Sequence, residues 1–306
     1  MRYVVTGAAG FIGSHLTEAL LDAGHDVLAV DGFTDYYDPA LKEGNAAAFT
    51  VERLDLASDP LDFEGADGVF HLAGQPGVRS FGGRFEPYVR HNVLASERVF
   101  EAAARAKTRI VFASSSSVYG EAERYPTPED AVPAPLSPYG VTKLCCEHLA
   151  RAYVRSFGLD AVVLRYFNAF GPRQRPDMAF SRIVNALADG GTFELYGDGT
   201  QSRTFTYVSD VVAATVAAME RGTAGTYNVG GGTEATVLET IAILESLSGR
   251  KLNAVNSPPV PGDQRRTCAD TTRIRDELGW EPRVTLEGGL QDQWEWVSGR
   301  VAAREP

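Results

Sequence analysis

The chain has 306 residues, of which 44% are hydrophobic and 23% charged. That is enough apolar material for one large or two modest domains of a soluble globular protein. The formal net charge of −11 argues against general binding to nucleic acid or anionic membranes, and no apolar run approaches membrane-spanning length.

The first predicted strand, 2–6, runs straight into Gly7-Ala8-Ala9-Gly10-Phe11-Ile12-Gly13, so no leader peptide is expected. A helix pattern follows over 11–23. Further strands read at 26–30, 49–53, 69–72, 109–114 and 161–165, rich in Val, Ile, Leu and Phe. Such near-continuous apolar strands are buried on both faces, as in a parallel sheet covered by helices. The intervening helices are 92–106 and 138–157, the second opened by Ser137-Pro138 as N-cap and first helical residue. The alternation predicts an α/β fold with a doubly wound, Rossmann-type parallel sheet.

Beyond about residue 165 turn-rich segments appear, with helices at 180–188, 209–221, 238–248 and near 271–278. The expected organisation is a cofactor-binding domain over 1–167, with a return of 206–230, and a smaller α/β substrate lobe drawn mainly from 168–306. Cys145, Cys146 and Cys268 have no metal-finger spacing and form no disulfide framework. A reduced, cytoplasmic protein is expected. The five histidines make no close metal-binding pair, so no metal is expected.

The glycine loop lies between strand and helix, where Gly7, Gly10 and Gly13 let the backbone approach a pyrophosphate. Phe11 and Ile12 begin the helix whose free N–H groups favour an anion. Asp31 ends the second strand, where a carboxylate accepts from ribose hydroxyls and repels a 2′-phosphate. No basic residue follows immediately in Gly32-Phe33-Thr34, which favours NAD over NADP. Asp55 and Leu56, after the third strand, are expected at the adenine.

Tyr139 and Lys143 stand four apart on one helix face. A free tyrosine, with a pKa of about 10, is a poor base. A neighbouring ammonium and a positive nicotinamide favour its phenolate, which takes a proton from a sugar hydroxyl while hydride leaves to NAD⁺. Ser114–Ser117 close the fifth strand, at the carboxyl end where ligands sit in such sheets.

Together these residues resemble the extended short-chain dehydrogenase/reductase family, specifically its NAD-dependent nucleotide-sugar epimerases and dehydratases. The resemblance covers nearly the whole chain. It runs through the glycine loop, His71-Leu72-Ala73-Gly74, Ser115 ahead of Val118-Tyr119-Gly120, Ser137-Pro138-Tyr139 to Lys143, Leu164-Arg165-Tyr166-Phe167-Asn168, Tyr196-Gly197-Asp198-Gly199, and Arg203 ahead of Tyr207-Val208-Ser209-Asp210-Val211. It implies that Ser115 hydrogen-bonds the reacting hydroxyl. Leu72, Ala73, Gly74, Asn92, Ala113, Tyr166 and Phe167 would line the NAD site. Asn168, Arg203 and the 193–196 strand, with Phe193 and Tyr196, would hold UDP, with Asp263 and Arg265 as ribose and phosphate contacts. A homodimer through the 92–106 and 138–157 helices is also implied.

The family's 4,6-dehydratases carry Asp-Glu where this chain has Ser116 and Ser117, and its UDP-glucuronate decarboxylases carry Glu at the position of Ser117. The segments Gln75-Pro76-Gly77-Val78-Arg79-Ser80 and 171–180, with Arg175, look most like the UDP-glucuronate 4-epimerases. The implied reaction is interconversion of UDP-glucuronate and UDP-galacturonate through a 4-keto sugar. Ser116, Ser117 and Asn168 would hold the carboxylate, and Arg175 the ring or the phosphates. Gly77, Val78 and Arg79 would flank the sugar. Two departures stand out: Gly74 replaces the usual second Ala of that segment, and Asn168 stands where many glucuronate epimerases have Thr. A neutral-sugar 4-epimerase and UDP-glucuronate decarboxylase are the alternatives. A reductase on the same fold would consume its cofactor stoichiometrically, and a non-catalytic NAD-binding protein could dispense with Tyr139 and Lys143.

Overall fold

The computed structural model describes residues 1–78, 85–259 and 264–302. In chain order the first part comprises β1 (Arg2–Thr6), α1 (Phe11–Asp22), β2 (Asp26–Asp31), α2 (Pro39–Asn45), β3 (Glu52–Arg53), β4 (Gly68–His71), α3 (Phe85–Tyr88), a π-helical turn (Val89–Leu94), α4 (Ala95–Ala106), β5 (Arg109–Ser115), α5 (Pro138–Phe157) and β6 (Ala161–Tyr166). The remainder comprises β7 (Ala169–Phe170), α6 (Ala179–Asp189), β8 (Thr192–Tyr196), β9 (Ser202–Thr204), β10 (Thr206–Tyr207), α7 (Val208–Arg221), β11 (Gly225–Val229), β12 (Glu234–Thr236), α8 (Val237–Ser248), β13 (Asn253–Ser257), β14 (Arg266–Thr267), α9 (Thr272–Leu278) and α10 (Leu286–Ala302).

Seven strands pair in the order β11-β6-β5-β4-β1-β2-β3, and every pairing is parallel. One face of the sheet packs on α1, α7 and α9, through Leu16, Leu20, Val211 and Ile274. The other packs on α4 and α5, through Val99, Phe100, Cys146 and Ala150. Helices on both faces explain why the strands are apolar throughout. The chain leaves β1 in one direction towards β3 and resumes at β4 in the other, so the switch point lies between β1 and β4. A ligand crevice opens at such a point, beyond the strands' carboxyl ends. The second core gathers Phe180, Ile183, Phe193, Leu195, Leu244 and Leu290 from the C-terminal segments.

Two stretches differ from their sequence reading. The 49–53 strand is reduced to Glu52–Arg53 at the sheet edge, with Phe49 and Val51 packed against the core as loop residues. The 92–106 helix begins earlier and passes through the wide turn Val89–Leu94, and such π turns occur often at functional sites.

A buried polar brace joins α5 to the sheet. Glu147 receives both Arg165 Nε at 3.0 Å and Nη2 at 2.7 Å, and Ser114 Oγ at 2.5 Å. Arg165 also donates to the Tyr119 hydroxyl at 2.7 Å, which in turn donates to Asn228 Oδ1 at 2.7 Å. Both charged side chains are 4% exposed. Removing one partner of such a pair strands a buried charge, at a cost of about 3–5 kcal/mol. The brace therefore fixes α5 against the serine strand end.

Candidate active site

A cavity of about 310 Å³ lies at the switch point. Its first wall is the glycine loop. Gly7 has φ +73°, and a Cβ there would stand 2.7 Å from Ala73 N. A Cβ on Gly13 would stand 2.0 Å from the Gly7 carbonyl oxygen. The loops after β1 and β4 therefore touch, and only glycine fits between them. This backbone cradle opens onto the start of α1, where free N–H groups suit a pyrophosphate.

Asp31, 8% exposed, lines the cavity beside the glycine loop. Its carboxylate accepts from the Ala9 N–H at 3.1 Å and the Phe33 N–H at 2.7 Å. Asp55 accepts from the Ala57 N–H at 2.9 Å and from Arg90 at 2.5 Å. Although burial pushes its pKa up, these donors hold it below the usual carboxylate value. Leu56, Gly32, Leu72, Ala73, Gly74, Ala113 and Tyr166 complete the wall together with Gly10, Phe11 and Ile12.

Tyr139 and Lys143 enter the same cavity from α5. The helix starts where the sequence places it: Ser137 Oγ accepts from the Gly140 N–H, with Pro138 next. Lys143 Nζ donates to the Ala113 carbonyl at 2.8 Å and lies 6.0 Å from the Tyr139 ring centroid. Gly140 explains the close approach of this helix to the serine turn, because a Cβ there would meet the Ser117 carbonyl oxygen at 2.5 Å. Ser115 Oγ accepts from the Ser117 N–H and donates to Ser117 Oγ, both at 3.1 Å. Ser115 and Ser116 are 9% and 7% exposed.

The departure at Gly74 has a local cause. A Cβ would stand 2.8 Å from Asn92 Oδ1 and 3.3 Å from Lys143 Nζ. Asn92 itself does not line the cavity. It is fully buried, accepts from the Gln75 N–H at 2.6 Å, and donates to the Gln75 carbonyl at 3.1 Å and Thr142 Oγ1 at 2.9 Å. It braces the floor next to Lys143. Phe167 is likewise absent from the wall, being 1% exposed and packed with Val118, Tyr119 and Ala269.

Sequence reading missed Thr34, Tyr36, Tyr37, Lys42, Gln75 and Pro76, which all line the cavity. Lys42 is 6% exposed. It donates to Thr34 O at 2.7 Å and Thr34 Oγ1 at 3.1 Å, 4.8 Å from the Tyr37 ring centroid. Burial pushes its pKa down against the pull of Asp31 and Asp35.

The residues expected around the UDP-sugar are more scattered. Arg175 lines the cofactor cavity. Asn168, at φ +33°, donates to Thr204 O at 3.1 Å and Thr267 Oγ1 at 2.7 Å. Arg203 donates to the Ser202 carbonyl at 2.8 Å and to the Gln264 carbonyl. Arg265 lies 4.0 Å from Asp198, its side chain 82% exposed. Phe193 turns inward at 4% exposure, into the second core. Strand alternation makes it a packing residue and leaves Tyr196, which donates to Glu194, on the other face. Gly77 accepts from the Tyr88 hydroxyl at 2.7 Å, and Val78 is half-buried. Arg79 and Asp263 lie outside the described residues.

Among the described residues no group of three or more His, Cys, Asp or Glu side chains could hold a metal ion, and no helix is long and apolar enough to cross a membrane.

Residues 3–230 match the family model described as the NAD-dependent epimerase/dehydratase family. A relative from Bacillus subtilis (strain 168), called an uncharacterized UDP-glucose epimerase, is 41% identical over 311 residues, covering 97% of this chain and 98% of its own. The UDP-glucuronate 4-epimerase of Thermodesulfobacterium geofontis is 34% identical over 313 residues, covering 98% and 97%. A crystal structure of the Bacillus cereus UDP-glucuronic acid 4-epimerase, in complex with UDP-glucuronic acid and NAD, superposes with a TM-score of 0.95 at 40% identity, covering 98% of this chain and 100% of that one. The chain belongs to the NAD-dependent epimerase/dehydratase family. Its backbone cradle, with the Asp31 carboxylate held beside it, fits that cofactor.

Proposed function

We propose that the chain is an NAD-dependent UDP-sugar 4-epimerase that interconverts UDP-glucuronate and UDP-galacturonate. The observation that carries this reading is the neutral serine turn, Ser115 to Ser117, packed against the helix of Tyr139 and Lys143, with no acid where elimination or decarboxylation enzymes of the family keep one.

When bound, NAD would supply the two-electron acceptor and donor for the sugar's fourth carbon. Tyr139 takes the proton of the 4-hydroxyl, and the Lys143 ammonium favours its phenolate. Ser115 orients the hydroxyl. The flat 4-keto sugar turns over so that its opposite face is the one reduced, and Tyr139 returns the proton to the C4 oxygen. As a β-keto acid that intermediate can lose carbon dioxide. Ser116, Ser117 and Asn168 hold its carboxylate through neutral hydrogen bonds, which keep the breaking C–C bond out of line with the carbonyl π system. Arg175 reaches the ring, while Arg203, Arg265, Tyr196, Gly77, Val78, Arg79 and Asp263 serve the nucleotide and the sugar's flank.

The division of labour follows 1–167 with 206–230 for the cofactor and 168–306 for the nucleotide sugar. The pairing of β11 with β6 supports the return of the chain. A homodimer is proposed through the 92–106 and Pro138–Phe157 helices, where Leu94 and Val141 are 42% and 46% exposed.

A neutral-sugar 4-epimerase is the second reading, favoured by the Bacillus subtilis relative's name. Offering UDP-glucuronate, UDP-glucose and UDP-N-acetylglucosamine in turn, without added NAD, and resolving products by NMR decides between them. UDP-galacturonate as main product is expected. Brisk turnover of UDP-glucose with none of UDP-glucuronate would select the neutral sugar, and UDP-pentose would select decarboxylation.

A further inference from the structure

Among the described residues, Arg175 is the cation that the lobe sends into the cavity lined by Tyr139. Its side chain is 22% exposed and fully forked onto Asp177, Nε to Oδ1 at 3.0 Å and Nη2 to Oδ2 at 3.1 Å. Two parallel bonds of this kind fix the guanidinium plane as well as its position. The two residues are separated only by Pro176, whose constrained φ limits how the pair can reorient. Asp177 has a third contact from a distant part of the chain: the Tyr36 hydroxyl donates to Oδ2 at 3.3 Å. Tyr36 lies in the β2–α2 loop and itself lines the cavity. Beneath it Gly77 packs so closely that a Cβ would stand 2.4 Å from the hydroxyl. The cofactor-side loop, the 72–78 loop and the lobe therefore meet around Tyr36, whose hydroxyl reaches Asp177.

We propose that Asp177 is a specificity-determining positioning residue: it aims Arg175 and partly cancels its charge at the sugar end of the cavity, with Tyr36 as its anchor. A guanidinium paired with a carboxylate presents a neutral dipole to the ligand instead of a full positive charge. An anionic sugar feels that difference strongly and a neutral sugar hardly at all. Asp177 thus moderates the preference for a charged over a neutral UDP-sugar and keeps Arg175 from seizing the carboxylate.

This inference rests on the reading of the chain as a UDP-sugar enzyme, so its test is built on binding and requires no turnover. In the NAD-loaded Tyr139→Phe protein, affinities for UDP-glucuronate and UDP-glucose are measured by calorimetry. Asp177→Asn should raise the ratio of the two in favour of UDP-glucuronate by about fivefold, the scale of a partly exposed ion pair. Tyr36→Phe should move it the same way by a smaller factor, and this variant carries the test if Asp177→Asn fails to load NAD. In an Arg175→Gln background Asp177→Asn should leave the ratio unmoved. An unchanged or lowered ratio in the first two variants, or the same rise without Arg175, would overturn the proposal. Failure of the parent enzyme to convert UDP-glucuronate would instead count against the proposed reaction, and the binding ratios would still decide the role of Asp177.

Discussion

The cofactor cavity and the lobe edge are built from different materials. The cavity's wall between β1 and α1 is main chain and glycine, with Gly7 and Gly13 admitting neighbours that a Cβ would strike. The edge around Asn168, Arg203 and Arg265 consists of long polar side chains already engaged with Thr267, Gln264 and Asp198. A backbone cradle is rigid and serves a ligand that every turnover reuses. Side chains that can exchange one partner for another serve a ligand that must enter, turn over and leave.

Substitutions at the two regions should differ accordingly. At the junction, Tyr139→Phe should lower kcat by roughly a thousandfold, the range of a general acid–base group, with UDP-sugar binding retained. Steady-state turnover beside calorimetry would check it. In the cradle, Gly13→Ala places a Cβ where the Gly7 carbonyl oxygen stands, 2.0 Å away. NAD co-purifying with the protein, measured by absorbance after denaturation, should fall by at least about tenfold, because displacing the loop removes the pyrophosphate's N–H donors. At the lobe edge, Arg265→Ala should raise KM for the UDP-sugar no more than about fivefold, since an 82% exposed arginine is well screened. An effect at Arg265 as large as that at Gly13 would erase the distinction between the two regions.

The same contrast explains what could be read from the sequence. The glycine loop, Asp31, and Tyr139 with Lys143 are encoded by local spacing next to strands and helices, and all line one cavity. Tyr36 and Lys42 carry no such signal: they sit on and before a seven-residue helix too short to show a period. Asn92 is legible as an important residue but not in its direction, because its partners Gln75 and Thr142 come from other segments. Phe193 could have been assigned from Thr-Phe-Glu-Leu-Tyr, whose alternation sets Phe193 with Leu195 facing the core. Helix Leu286–Ala302 was missed because Gly288-Gly289 opens it. Tertiary packing overrides that weakness: a Cβ on Gly289 would stand 2.5 Å from the Tyr207 ring and 2.7 Å from Phe170, so the glycine is there to let the helix seat.

In the proposed reaction the hydrogen removed from the sugar's fourth carbon returns to that same carbon. UDP-glucuronate labelled with deuterium at that carbon, converted without added NAD and examined by NMR, tests it most directly. The expected product is UDP-galacturonate that keeps its deuterium at C4. Loss of the label to solvent in the epimerised product would contradict it.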